Sequence, residues 1–225
     1  MPRILVINPN SSVAVTQALD AALESLRSPA GPVINCITLA EGPPGIETQA
    51  HVDAASAHVT QAIAREVADA YVIACFSDPG IHAARERTDR PVFGIAESAM
   101  VSALALGSRF GIVAILDRSV PRHLRYVDTL GLRSRCAGDR AINIGVSGLA
   151  DEARTVARVI DVGRVLCDQD GADVLILGCA GMGRFRGAVE QALSVPVIDP
   201  TQAAVGLAHV ALTLGWRRRA MHGAL

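Results

Sequence analysis

Two stretches of this 225-residue chain are copies of each other, and that repeat limits the fold more than any other feature. Residues 68–75 read ADAYVIAC and residues 172–179 read ADVLILGC; each opens on Ala-Asp, runs through an apolar strand and stops at a cysteine. The step is 179 − 75 = 104. Arg3-Ile4-Leu5-Val6-Ile7 answers Arg109-Phe110-Gly111-Ile112-Val113 at 109 − 3 = 106, and Pro91-Val92 answers Pro196-Val197 at 196 − 91 = 105. Three anchors on one period predict a duplicated fold whose halves are related by a pseudo-two-fold. Cys75 and Cys179 then face each other across the axis. Cysteine is also among the most buried residue types, so a pair of plain core thiols is the competing reading. Core burial does not account for a cysteine standing where each strand stops.

Short β-branched runs alternate with longer Ala-rich segments of helical period, the pattern of a parallel α/β sheet. Strands are predicted near 3–8, 33–38, 71–75 and 92–95, and again near 110–116, 141–145, 174–178 and 197–199. Helices are predicted near 12–27, 50–68, 79–87 and 97–105, with counterparts near 119–130, 151–169, 184–193 and 201–214. The expected fold is α/β, two pseudo-symmetric flavodoxin-like domains, each with a four-stranded parallel sheet. The first spans 1–96 and the second 97–202. The final helix, within 203–225, is expected to cross back and complete the first.

Half of the residues are hydrophobic but only 3% are aromatic, so the core is aliphatic. A formal net charge of −1 gives no basic face for nucleic acid. Arg217-Arg218-Arg219 reads as a cap on the last helix, where cations suit the negative end of the dipole. No apolar run reaches the ~18 residues of a membrane span, and Met1-Pro2-Arg3 leads straight into a strand with no signal-peptide pattern. A cytoplasmic protein is expected, with its five cysteines reduced. No Cys-x-x-Cys pair and no closely spaced His pair occurs, so no metal site is expected.

Three first-half loops follow strands and gather on one sheet edge, where open α/β sheets bind ligands. They are Asn8-Pro9-Asn10-Ser11-Ser12, the Leu39–Glu47 loop, and Cys75-Phe76-Ser77-Asp78-Pro79-Gly80. The first reads equally as turn-plus-cap or as amide and hydroxyl groups for a ligand with carbonyl and N–H edges. Gly178 reads as tight strand packing, whereas Gly181 and Gly183 suit an oxyanion nest. Asp78, before Pro79, reads as an N-cap rather than a base. His51, His58 and His82 fall in predicted helices as surface or packing residues. A helix N-terminus at each cysteine would favour thiolate by ~0.3–1 kcal/mol, up to ~2 when partly buried, about one pKa unit. One thiolate and one thiol flanking a carbon can remove a proton from one face and return one to the other. Inverting a stereocentre beside a carbonyl is the obvious use.

The strings Ile7-Asn8-Pro9-Asn10-Ser11, Ile73 to Gly80 (IACFSDPG), Gly94-Ile95-Ala96-Glu97, Leu177 to Met182 (LGCAGM) and Val195 to Asp199 (VPVID) resemble the aspartate/glutamate/hydantoin racemase superfamily, its hydantoin and allantoin branch above all. The resemblance implies an active site between the domains and cofactor-independent racemisation of 5-substituted hydantoins. Cys75 and Cys179 would exchange the roles of base and acid. Asn8, Asn10, Glu47, Ser77 and the backbone at Ala180 and Gly181 would hold a hydantoin-like ring. The chain departs from that branch in Ala180, where a glycine is usual, and in the apolar Ala114-Ile115-Leu116, which favours a hydrophobic 5-substituent. A homo-oligomer is expected. The alternatives are allantoin racemisation, an amino-acid racemase or decarboxylase of the same superfamily, a small-molecule binding protein, and a thiol redox sensor.

Overall fold

The computed structural model describes residues 1–218. β1 (Arg3–Asn8), β2 (Val33–Thr38), β3 (Ala70–Ile73) and β4 (Val92–Gly94) form one parallel sheet in the order β2-β1-β3-β4. β5 (Phe110–Ala114), β6 (Cys136–Ala141), β7 (Val174–Leu177) and β8 (Val197–Ile198) repeat that order as β6-β5-β7-β8. In both sheets the pairing of the central strands starts at one place, Ile4 beside Ala70 and Phe110 beside Val174. The central strands are apolar along their length because helices cover both faces. Ile4 to Ile7 and Val174 to Leu177 have no solvent exposure.

The helices are α1 (Val13–Ala22), α2 (Gln49–Arg65), α3 (Ile81–Arg87), α4 (Ile95–Ala103), α5 (Val120–Thr129), α6 (Glu152–Asp168), α7 (Arg186–Leu193) and α8 (Pro200–Thr213). None of the described helices is long and apolar enough to cross a membrane. Two of them change sides. After β4 the chain crosses over, and α4 packs Ala96, Ala99, Met100 and Ala103 against Phe110, Ile112, Val174 and Ile176 of the second sheet. After β8 it returns, and α8 packs Ala204, Val205 and Ala208 against Ile4, Val6, Ala70 and Val72 of the first. The small side chains let α4 and α8 also lie against each other. The two halves are thus held together by a reciprocal exchange of their fourth helices.

Three predicted elements differ from the structure. The strand expected at 141–145 is β6, about five residues earlier. Among the described residues β6 is an edge strand, bonded only to β5, so its sequence CAGDRA escapes the need for an apolar run. The apolar Ile142 and Ile144 just beyond it are buried caps on the second core. The strand expected at 71–75 ends at Ile73, leaving Cys75 in a turn. Arg217 and Arg218 do not cap α8. Gly215, at φ +68°, turns the chain out of the helix first, and the Arg218 N–H donates to Asp89 O at 3.0 Å. Arg219, with 220–225 of the C-terminal segment, lies outside the described residues.

Candidate active site

The strand ends of the two sheets face each other across a cleft of about 40 Å³. Its first-half wall carries Asn10, Cys75 and Ser77, and its second-half wall carries Cys179, Ala180 and Gly181. Both cysteines are partly exposed, and the surface they expose lies on this cleft.

The two thiols are held differently. Cys179 sits immediately before a 3-10 turn, Ala180–Phe185, and its carbonyl accepts from Met182 N at 3.1 Å. Gly178 beneath it has no room for a side chain, since a Cβ would lie 2.8 Å from Val113 O. Cys75 lies in a turn five residues before Gly80, the cap of α3. No helix therefore starts at Cys75, and the helix-dipole expectation fails there. Burial reverses the expected direction at both sites. The Cys75 thiol is pushed up to about 12 by burial, then by the neighbouring Cys179 and Asp78, while a hydrogen bond from the Ser77 backbone and the charge of Arg122 pull it down. Cys179 is pushed up to about 11 by burial, against a hydrogen bond from the Gly181 backbone. Burial thus favours the thiol over the thiolate at both sites.

Of the other expected residues, Asn10, Ser77, Ala180 and Gly181 line the cleft. Asn10 Oδ1 accepts from Asn8 Nδ2 and Ser12 N, at 3.0 and 2.9 Å. None of the described residues bonds its Nδ2. Asn8 does not reach the cleft. It is fully buried, and its amide ties the loop to Ser12 O and Thr16 Oγ1 at 3.1 and 3.0 Å. Glu47 does not line the cleft either. It pairs with Arg118 and accepts from Val146 N at 3.0 Å, joining the first half to the second. Gly183, expected in an oxyanion nest, abuts the Asp199 carboxylate, where an anion would be repelled. Ala180 is 6% exposed and belongs to the apolar cluster of the first sheet. From the apolar stretch 114–116, only Ile115 reaches the cleft.

Asp78 does cap a helix, but a distant one. Its Oδ1 and Oδ2 accept from Ala96 N and Glu97 N of α4, each at 2.9 Å, and Oδ2 also accepts from Tyr126 OH at 3.0 Å. The backbone reaches this geometry through φ +43° at Asp78. His51 and His58 are partly buried on α2 and His82 is exposed. Sequence reasoning missed Arg122 and His123, both on α5 and both lining the cleft. Arg122 Nε donates to Ser77 Oγ at 3.0 Å. His123 is 3% exposed and pairs through Nδ1 with Asp139 of β6 at 2.8 Å. The available signal was weak: polar His123 on the face of α5 that should be apolar, with polar Ser119 four residues earlier, just before the helix. Among the described residues no three His, Cys, Asp or Glu side chains converge as metal ligands.

The arrangement offers two proton-carrying sulfurs on opposite walls and backbone N–H groups beside each. Three comparisons extend this. The Asp/Glu/Hydantoin racemase family matches residues 4–208. A hydantoin racemase of Paenarthrobacter aurescens is 39% identical over 222 residues, covering 96% of this chain and 93% of the relative. A hydantoin racemase of Pseudomonas sp. (strain NS671) is 36% identical, covering 95% and 87%. The structure of an allantoin racemase from Klebsiella pneumoniae superposes with a TM-score of 0.92 at 32% identity, covering 99% of this chain and 92% of the other.

Proposed function

The chain belongs to the Asp/Glu/hydantoin racemase family, and from that premise we propose that it racemises 5-monosubstituted hydantoins without a cofactor, using Cys75 and Cys179 as alternating base and acid. The observation that carries this reading is the convergence of the two cysteines on one cleft from equivalent strand ends.

In one direction the Cys75 thiolate takes the C5 proton and becomes a thiol, and the electron pair passes into the adjacent carbonyl as an enolate. The Cys179 thiol then protonates C5 from the other face and is left as thiolate. One proton enters and one leaves, so the product is the mirror image, and the reverse reaction uses the thiols in exchanged roles. The enolate oxygen needs donors that are in place before the reaction. The Gly181 and Ala180 backbone, Ser77 and the free amide of Asn10 supply them. Asn8 and Glu47 act at one remove, by holding the Asn10 loop and the two halves. The raised thiol pKa values have two opposed effects. At pH 8 a thiol near 11 is only ~0.1% ionised, but the thiolate that does form is a stronger base for a carbon acid.

Enantiopure 5-benzylhydantoin in D2O tests the reading. Its circular dichroism should decay to zero while deuterium enters C5, and allantoin, glutamate and aspartate should keep their signals. Decay with glutamate or aspartate alone would refute it. Allantoin racemisation is the second reading, favoured by the closeness of the Klebsiella structure, and decay with allantoin alone would select it.

We also propose domain limits at 1–96 with 203–225, and 97–202, supported by the crossing of α8 onto the first sheet. Five unpaired cysteines support a reducing, cytoplasmic setting. A homo-oligomer is supported by exposed Val101, Leu106, Val210, Leu214 and Trp216, on or just beyond α4 and α8.

A further inference from the structure

The cleft between the cysteines is too small for a whole substrate. One water needs ~10–15 Å³ of such volume, so about 40 Å³ takes a small ring and little more. A second chamber of about 200 Å³ adjoins it, between α2, α4 and α5. The two cavities share Phe76, Ser77, Arg122 and His123. These four make the partition: Arg122 Nε donates to Ser77 Oγ at 3.0 Å, and the rings of Phe76 and His123 meet edge to face with centroids 5.1 Å apart. A substituent leaving the ring on this side would meet Arg122, which lines both cavities.

The chamber's polar wall is cationic. Among the described residues, Arg122 bonds only the Ser77 and Ser119 hydroxyls, and Arg125 bonds the amide oxygen of Gln49 at 3.2 Å. Among the described residues, neither has a carboxylate within ion-pair distance. Of the two buried carboxylates nearby, Asp78 is held by the α4 backbone and Tyr126, and Asp139 bonds His123 through Oδ2 alone and reaches Arg122 only through its charge. His123 is buried. Nothing described bonds its second ring nitrogen, although the ring borders both cavities. A half-buried guanidinium that no described carboxylate touches directly keeps donors to spare, and an incoming carboxylate would satisfy them through charge-assisted hydrogen bonds.

We propose that this chamber receives the 5-substituent and that Arg122, flanked by Arg125, selects a substituent ending in a carboxylate. The proposal rests on the hydantoin reading above and replaces the hydrophobic substituent expected from residues 114–116.

The test compares 5-(2-carboxyethyl)hydantoin with its neutral isostere, 5-(2-carbamoylethyl)hydantoin, using 5-methylhydantoin as a control too short to reach the chamber. The wild-type kcat/KM should favour the carboxylate by about tenfold or more, the range of a charge-assisted over a neutral hydrogen bond. Arg122→Gln should bring the ratio to within about threefold, and Arg122→Lys, which keeps the charge, should retain a clear preference. A wild-type ratio near one, or an Arg122→Gln variant that slows both substrates by one factor, overturns the proposal and leaves the hydantoin reading standing if 5-methylhydantoin is still racemised. Failure with all three hydantoins overturns both.

Discussion

Asp78 and Asp199 cap equivalent helices from non-equivalent places in the duplicated fold. Asp78 accepts from Ala96 N and Glu97 N, and Asp199 Oδ1 accepts from Thr201 N and Gln202 N at 2.7 and 3.3 Å. Those donors are counterparts on the 105-residue step (201 − 96 and 202 − 97). The carboxylates are not. The counterpart of Asp199 is Gly94 (199 − 94 = 105), and that of Asp78 is Gly183 (183 − 78 = 105). A Cβ on Gly94 would lie 2.1 Å from Asp78 Cγ, and one on Gly183 would lie 2.0 Å from Asp199 Oδ2. Each half therefore keeps one acid and one glycine in exchanged positions, and the helix start is capped either way.

Alanine at Gly94 or Gly183 should overpack this arrangement and cost about 2–3 kcal/mol in urea unfolding. Moving the acid should be tolerated better than losing it. Asp78→Gly with Gly94→Asp together should be at least ~1 kcal/mol more stable than Asp78→Gly alone, the usual worth of a cap.

Asp78 also sets a pH dependence. Burial raises its carboxyl from 3.8 to about 7, against hydrogen bonds from Ala96, Glu97 and Tyr126. A carboxyl raised on folding binds more protons folded than unfolded between those values, so its contribution favours the fold at low pH and is lost as pH rises through 7. Urea unfolding from pH 4 to 8 should show a less negative slope for Asp78→Asn than for wild type. Equal slopes would contradict the assignment.

Serine at either cysteine should lower racemisation of a 5-substituted hydantoin by about 10²–10⁴-fold, the span of general acid–base catalysis. Each single variant should still exchange the C5 proton of one enantiomer with D2O, because one sulfur survives, and the two variants should choose opposite enantiomers. Normal racemisation by both would end the two-thiol mechanism.

Substrate-free alkylation reports the raised thiols directly. With values near 12 and 11 for Cys75 and Cys179, the iodoacetamide rate at each site should climb about tenfold per pH unit from 7 to 10. An ordinary thiol would level off near 8.5. Peptide mapping separates these sites from Cys36, Cys136 and Cys167.

Glu47 should behave as a residue that closes the cleft. Its partners, Arg118 and Val146 N, both belong to the second half. Glu47→Ala should raise KM by roughly three- to tenfold while changing kcat less. Because Arg118 is largely exposed, added salt should narrow the gap to wild type.

The repeat, the parallel α/β class and the two cysteines were legible in the chain because each rests on a local pattern. An apolar run between two covered faces marks β1, β3, β5 and β7, and a shared period of about 105 marks the duplication. β6 was misplaced because an edge strand carries no such pattern. Asn8 read as a ligand contact because an amide in a loop looks the same whether it bonds the loop or a substrate. Arg122 and His123 were passed over because their partners, Ser77 and Asp139, lie 45 and 16 residues away.

The sequence by itself determined what kind of half this protein is built from, twice, and where its sulfurs stand. Periodicity and strand ends are properties of neighbouring residues, so they survive in one dimension. Only the tertiary structure decided how the halves interlock through α4 and α8, which acid caps which helix, and that burial rather than a helix dipole governs the thiols. Those outcomes depend on solvent exclusion and on contacts between distant segments, and neither exists until the chain has closed on itself.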